Sequence, residues 1–293
     1  MKTFILTLIT FMLITMAVFS LLLGGSLYTK SRASFEFDRE KNILILGDSH
    51  TEAALDDKIL QRSENVSQSA SICLFSYCKL KRFLESNPQI DTVLLSFWYG
   101  PLTNKGYDRW LSGFTAAKIG SHFTLLGRDE HILYRSLLSQ SLPKTFSIRF
   151  FVKHVLLRKN VTYKDLGIGK YHALNGYKLL KDIEKHEAGL KAKTSNETDD
   201  DWNLCQKEYL LKIANLCKQK DVCLILIATP VYRPDRYDNL ERLYDYRQKY
   251  LPEACFLDYS NFSLPDSCYK DITHLNYRGA EIFSRYLQET LGK

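Results

Sequence analysis

A chain of 293 residues, 45% hydrophobic and 25% charged, can bury a substantial core as one large domain or two small ones. Its formal net charge of +7 is dispersed, without a Lys/Arg block, a zinc-finger pattern or an RNA-binding signature, so no nucleic-acid partner is expected. The cysteine and histidine spacings match no metal site, and neither a metal nor a cofactor is anticipated.

Taken in chain order, the first element is the most apolar. After Lys2, residues 3–29 carry no charge and are rich in Phe, Leu, Ile and Met. Crossing a hydrocarbon core takes roughly 20 helical residues, so residues 1–30 read as a transmembrane anchor. A cleaved signal peptide would want a shorter apolar region and a small-x-small site, and Gly24-Gly25-Ser26 is a poor one. Lys30, Arg32, Arg39 and Lys41 lie after the span and only Lys2 precedes it, which by the positive-inside count holds the domain in the cytoplasm. Short N-terminal anchors nevertheless generally export the domain behind them, and a periplasmic or extracellular domain is the expectation adopted.

A charged linker over 31–41 leads to the main domain, 42–293. Residues 42–46 read as a buried strand, 51–62 as a helix, 77–86 as a second helix and 92–97 as another buried strand. Later, 207–221 shows helical apolar spacing and runs into 222–228, an unbroken apolar run typical of a strand covered on both faces. A short strand is expected at 254–257 and an amphipathic helix at 276–291. Strands alternating with helices predict an α/β fold built on a parallel sheet with helices on both sides.

The middle, at about 101–201, shows helical and loop patterns but no buried strand, and reads as a helical insertion. Within it the basic-aromatic stretch 149–159 suits an amphipathic helix packed on the core, or a surface for membrane, glycan or partner. Cys73, Cys205, Cys217 and Cys223 fall in apolar patterns as buried free thiols, whereas Cys255 and Cys268 flank a late loop and could pair in an oxidising compartment.

Two stretches carry chemistry. Gly47-Asp48-Ser49-His50 comes after the first strand, at the carboxyl edge of a parallel sheet where ligands bind. A serine nucleophile needs a base, and the base needs an orienting carboxylate. Asp271 and His274, just before the last helix, are spaced so that one tight turn brings carboxylate to imidazole. Asp48 is expected to hydrogen-bond within the nucleophile turn. His50 either contacts substrate or turns into the helix beyond it. Thr229 to Tyr232, after a later strand, either line a pocket or form a plain turn.

Gly47-Asp48-Ser49 together with Asp271-Ile272-Thr273-His274 resembles the SGNH (GDSL-like) hydrolase family. The resemblance covers 42–100 and 221–293, but not the middle. It implies a three-layer α/β/α sandwich and activity as an esterase, lipase, deacetylase or O-acyltransferase. Ser49 is then the nucleophile, His274 the base and Asp271 its orienter. The family's second block, commonly Asn-x-Gly-x-Ser-Gly, corresponds to Asn65–Ala70. It implies a main-chain oxyanion donor at Ala70, or at its neighbour Ser71, beside the N–H of Ser49. The third block departs from the family: where Gly-x-Asn-Asp is usual, this chain has Phe97-Trp98-Tyr99-Gly100. An Asn donor is missing there, or is replaced by the Tyr99 hydroxyl or the Trp98 indole; such a loss can cost about 3 kcal/mol of transition-state stabilisation. Asp48, His50, Ser71, Trp98 and Tyr99 are accordingly candidate pocket residues.

One N-terminal span with this frame also resembles accessory proteins that work beside multispanning membrane O-acyltransferases. That likeness implies an acylated glycan or cell-envelope polymer as substrate and an integral membrane acyltransferase as partner. The alternative from another class is a non-catalytic binding or assembly subunit that keeps the fold.

Overall fold

A computed structural model describes residues 2–31, 35–104, 107, 130, 177–181, 202–232 and 240–291. The chain forms two compact units, one of Phe35–Leu111 with Asn175–Lys293 and one of Met1–Ser34 with Ser112–Leu174. The described part of the latter is chiefly α1 (Lys2–Ser31). Its stretch Lys2–Leu21 is long and apolar enough to cross a membrane. The hydroxyls of Thr7, Thr10 and Thr15 each donate to the carbonyl four residues earlier, so these polar groups are satisfied inside the helix. The stretch 149–159 lies outside the described residues.

The first unit is built on five strands: β1 (Ile43–Leu46), β2 (Ser63–Asn65), β3 (Thr92–Ser96), β4 (Cys223–Ala228) and β5 (Cys255–Asp258). All pair in parallel, in the order β2-β1-β3-β4-β5. The chain runs from β1 to β2 on one side and then crosses to β3 on the other. The reversal falls at the carboxyl end of β1, the place where open parallel sheets commonly bind ligands.

Helices α2 (Ser49–Ala54), α3 (Cys73–Ser86), α4 (Tyr99–Leu102), α5 (Leu204–Gln219), α6 (Leu240–Tyr250) and α7 (Tyr277–Leu291) complete the unit. Ile45, Leu94 and Ile227 share one apolar cluster with Phe283 and Leu287 of α7. Strand residues alternate faces, and those of the other parity, Leu44, Leu46, Val93, Leu95 and Leu226, are equally buried. The sheet is therefore covered on both sides, as the three-layer expectation requires. Each such fully buried side chain is worth about 1.5–3 kcal/mol of burial.

Several elements differ from the pattern-based expectation. The helix expected over 51–62 stops at Leu55, because the Asn65 side chain takes the Thr51 and Leu55 carbonyls at 3.1 and 2.7 Å. Residues 56–62 are turns, and β2 follows as a Ser-Glu-Asn strand without apolar alternation. α3 begins a turn earlier than expected, with the Cys73 N–H donated at 2.9 Å to Gln206 of α5. α6 went unanticipated because its buried stripe, Leu243 and Tyr246, is narrow.

The segment expected as a linker is docked over 35–41. Phe37 is buried against Phe83, and the Asn87 amide accepts from the Phe37 N–H at 3.0 Å and donates to the Phe35 carbonyl at 2.8 Å. All seven cysteines are free thiols. Cys255 lies exposed at the start of β5, whereas Cys268 is buried under α7, so the pairing considered between them is not formed. Cys223, expected in the core, is exposed. The stems of the expected insertion meet in an antiparallel bridge between Thr103 and Trp202.

Candidate active site

The turn that carries Ser49 begins at Gly47, whose φ of +148° excludes an ordinary side chain; a Cβ there would collide with Ser96 Cβ and Thr51 Oγ1. β1 and β3 can thus lie close at their carboxyl ends. Asp48 comes next, as the N-cap of α2. Its Oδ1 accepts from the His50 N–H at 3.0 Å and from the Ser96 hydroxyl at 2.9 Å. Asp48, a candidate pocket residue, is thus spent ordering the turn. Ser49 opens α2, partly exposed, and its N–H belongs to the first helical turn, where no intrahelical acceptor exists.

More than two hundred residues later the chain returns to this edge. His274 Nε2 lies 2.8 Å from Ser49 Oγ, and its Nδ1 lies 2.9 Å from both carboxylate oxygens of Asp271. Asp271 Oδ1 also accepts from the N–H groups of Thr273 (2.8 Å) and His274 (3.0 Å) and from the Thr273 hydroxyl (3.1 Å). Burial alone would push the Asp271 carboxyl up. The hydrogen bonds from His274 and Thr273, with the charge of His274, outweigh it and hold the carboxyl well below the usual carboxylate range. An ionised Asp271 fixes the proton on Nδ1 and leaves the Nε2 lone pair facing the Ser49 hydroxyl.

The loop carrying this pair is braced on every side. Buried Asn276 accepts from the N–H groups of Arg278 (3.0 Å) and Gly279 (3.2 Å) as the N-cap of α7, and donates to the Ser267 carbonyl at 2.7 Å. A Cβ at Gly279 would collide with the Cys268 carbonyl, so α7 approaches the loop only because this position is bare. Tyr232 donates its N–H to Ile272 at 3.1 Å, which makes the turn after β4 a support for the loop. Of the middle segment, Lys178 donates its N–H to Glu52 of α2 at 2.8 Å, and Tyr277 of α7 donates to Leu180 at 2.9 Å.

Ala70 adopts the left-handed conformation, φ +54°, unusual for a residue with a Cβ and suited to turning a main-chain N–H. The Ser71 N–H is donated to the Gln68 carbonyl at 2.9 Å. The ring of His50 lies 5.1 Å from that of Trp98 and 5.3 Å from that of His274, so these three aromatic groups line one side of the site. Burial lowers the His50 pKa below the usual imidazole range; Asp48 opposes the shift and His274 adds to it. The Tyr99 hydroxyl accepts from Arg242 at 3.0 Å and its ring stands edge-on to Trp202 at 5.1 Å.

Sequence reasoning did not single out Ser96, Thr273 or Asn276. Asn276 had a legible signal, an Asn immediately before an amphipathic helix. Ser96 and Thr273 act through contacts that no spacing rule reveals. Among the described residues no group of His, Cys, Asp and Glu side chains could hold a metal ion.

A family model matches residues 163–293, under half of the chain. No curated protein matches the sequence. Among solved structures, the chain is similar to a GDSL-like lipase from Bacteroides thetaiotaomicron at 10% identity and a TM-score of 0.37, over 90% of this chain and 93% of that one. It is also similar to a protein from Bacteroides fragilis named for acylhydrolase activity, at 12% identity and a TM-score of 0.38, over 90% and 94% of the two chains.

Proposed function

We propose that this chain is an SGNH-type serine enzyme acting on acyl esters. The observation that carries the reading is the continuous relay from Ser49 Oγ to His274 to Asp271, at 2.8 and 2.9 Å. In that arrangement the Ser49 oxygen attacks the acyl carbonyl while His274 Nε2 takes the hydroxyl proton. The carbonyl π pair moves onto oxygen, where the N–H groups of Ser49 and Ala70 receive the charge. Collapse expels the alcohol, to which His274 returns the proton, and leaves an acyl-serine. Water as the second nucleophile gives an esterase; a sugar hydroxyl gives an O-acyltransferase. Asp271 keeps its charge throughout and stabilises the transient imidazolium.

The finer reading is an enzyme anchored by α1, with its catalytic unit outside the cytoplasm, acting on an acylated glycan or envelope polymer beside a multispanning membrane acyltransferase. The apolar helix and the resemblance of the Gly47–His50 and Asp271–His274 frame support it. The deciding variant is Ser49→Ala, assayed with p-nitrophenyl acetate and a fluorophosphonate probe. Turnover should fall by about 10³-fold or more and labelling should vanish. Undiminished turnover in Ser49→Ala would sink the enzyme reading.

A second reading, a non-catalytic assembly subunit, is favoured by one observation. No Asn comes after β3, where Phe97-Trp98-Tyr99 stands instead. Polymer acylation in cells that survives Ser49→Ala but not loss of the whole chain would establish it.

A further inference from the structure

The relay leaves one buried group beside it without a task. His50 is 8% exposed, next in sequence to the nucleophile, with its ring against Trp98 and His274. Its Nδ1 is fully enclosed and has no hydrogen-bond partner among the described residues, whereas Nε2 is not among the enclosed unpaired atoms. The Asp48 carboxylate does not serve the ring: its Oδ1 takes the His50 main-chain N–H and the Ser96 hydroxyl.

A neutral imidazole carries one proton. On Nδ1 it would be an enclosed donor with no acceptor, a rare and costly state. On Nε2 it sits on the nitrogen that is not sealed, and only a lone pair is left enclosed. The burial that depresses the ring's basicity keeps it neutral. His50 is thus set up as an N–H donor beside the base that activates Ser49. At the end of β3 the Ser96 hydroxyl is donated to Asp48, and the Tyr99 hydroxyl accepts from Arg242.

We propose that His50 Nε2–H donates a hydrogen bond to the acyl oxygen as negative charge develops on it, completing the set formed by the Ser49 and Ala70 amides. This rests on the acyl-ester reading above and deepens it. No proton is transferred from His50; it stays neutral while Ser49 and His274 exchange theirs. The resulting preference is for substrates whose ester oxygen can lie against the Trp98-flanked ring.

The test uses the full chain in detergent micelles, with p-nitrophenyl acetate as probe, comparing wild type, Ser49→Ala, His50→Ala and His50→Gln. His50→Ala should lower kcat by about 10²–10³-fold with KM within about threefold, the signature of an interaction made in the transition state. His50→Gln, which retains a side-chain N–H, should recover about tenfold of that loss, which a merely structural role would not give. Nitrogen-15 histidine spectra of the wild type, with His50→Gln assigning the signal, should show a neutral ring protonated on Nε2. A His50→Ala kcat within about threefold of wild type overturns the proposal. So does a Gln variant no better than Ala, or a ring protonated on Nδ1. If His50→Ala does not fold, the tautomer spectrum and the Gln variant decide. If the wild type shows neither Ser49-dependent turnover nor fluorophosphonate labelling, the acyl-ester reading itself fails and this proposal falls with it. Intact wild-type turnover with an unaffected His50→Ala removes this proposal alone.

Discussion

Ser49 is an ordinary alcohol until its neighbours act on it, and the residue-scale question is what holds those neighbours in place. His274 has one ring nitrogen on Ser49 and the other on a carboxylate that accepts three further hydrogen bonds. Replacing that carboxylate by an amide, Asp271→Asn, keeps the shape but frees the ring to reverse its tautomer. Acyl-ester kcat should fall by about 10³–10⁴-fold with little change in KM. Asp271 also leaves a mark on stability. Its pKa is lowered on folding, so its contribution is full above the ordinary carboxylate range and is lost as the pH falls through that range toward the folded value. Denaturant midpoints measured from neutral pH to about pH 3 should therefore decline in the wild type, and decline less in Asp271→Asn. Asp48 works on the nucleophile side in a different way, by capping α2 and holding Ser96. Asp48→Ala should cost about 1 kcal/mol of folding free energy from the lost cap, measured by urea unfolding, with turnover reduced as the Ser49 turn loosens.

At the scale of elements, the site is the meeting of two helix starts. α2 begins at Ser49 and α7 begins just after His274, so each reacting side chain is anchored where a helix fixes the backbone. Both junctions depend on a missing side chain. Gly47 lets β1 pass Ser96, and Gly279 lets the Asp271–His274 loop lie on α7. Gly279→Ala would suit helix propensity, yet its methyl meets the Cys268 carbonyl and must displace the loop. The expected outcome is a melting temperature lowered by several degrees and a kcat loss larger than any KM change, with circular dichroism still showing a folded α/β chain. Asn65 plays the matching part for α2, where its amide ends the helix after Leu55 and joins β2 to the nucleophile element.

For the whole molecule, strand order does the assembling. With β1 between β2 and β3 and the chain crossing from β2 over to β3, the carboxyl end of β1 lies at the reversal point, where open parallel sheets leave room for a ligand. α1 adds a separate property. A charge at its middle should be costly only if the helix lies in lipid, about 2.5–3.5 kcal/mol for Arg at the centre of a span. Leu13→Arg should shift the protein from the carbonate-resistant membrane fraction to the soluble fraction. Unchanged fractionation would argue against a spanning helix.

The stretches that bring Ser49, Asp271 and His274 together were legible in the chain, because each sits beside a strong pattern: Ile43–Leu46 before the serine, an amphipathic run after His274. So was the α/β class, since alternating strands and helices leave few other architectures. What the linear order did not contain were the contacts between distant segments: Asn65 stopping α2, Gln206 starting α3, Ser96 on Asp48, Tyr232 under the Asp271 loop. Propensity and periodicity act within a few residues, whereas these hydrogen bonds join groups that only the packed sheet brings together. The same holds for His50. The sequence determined that a histidine stands next to Ser49; tertiary packing decided that its ring lies against those of Trp98 and His274 with Nδ1 sealed, because those partners come from distant segments.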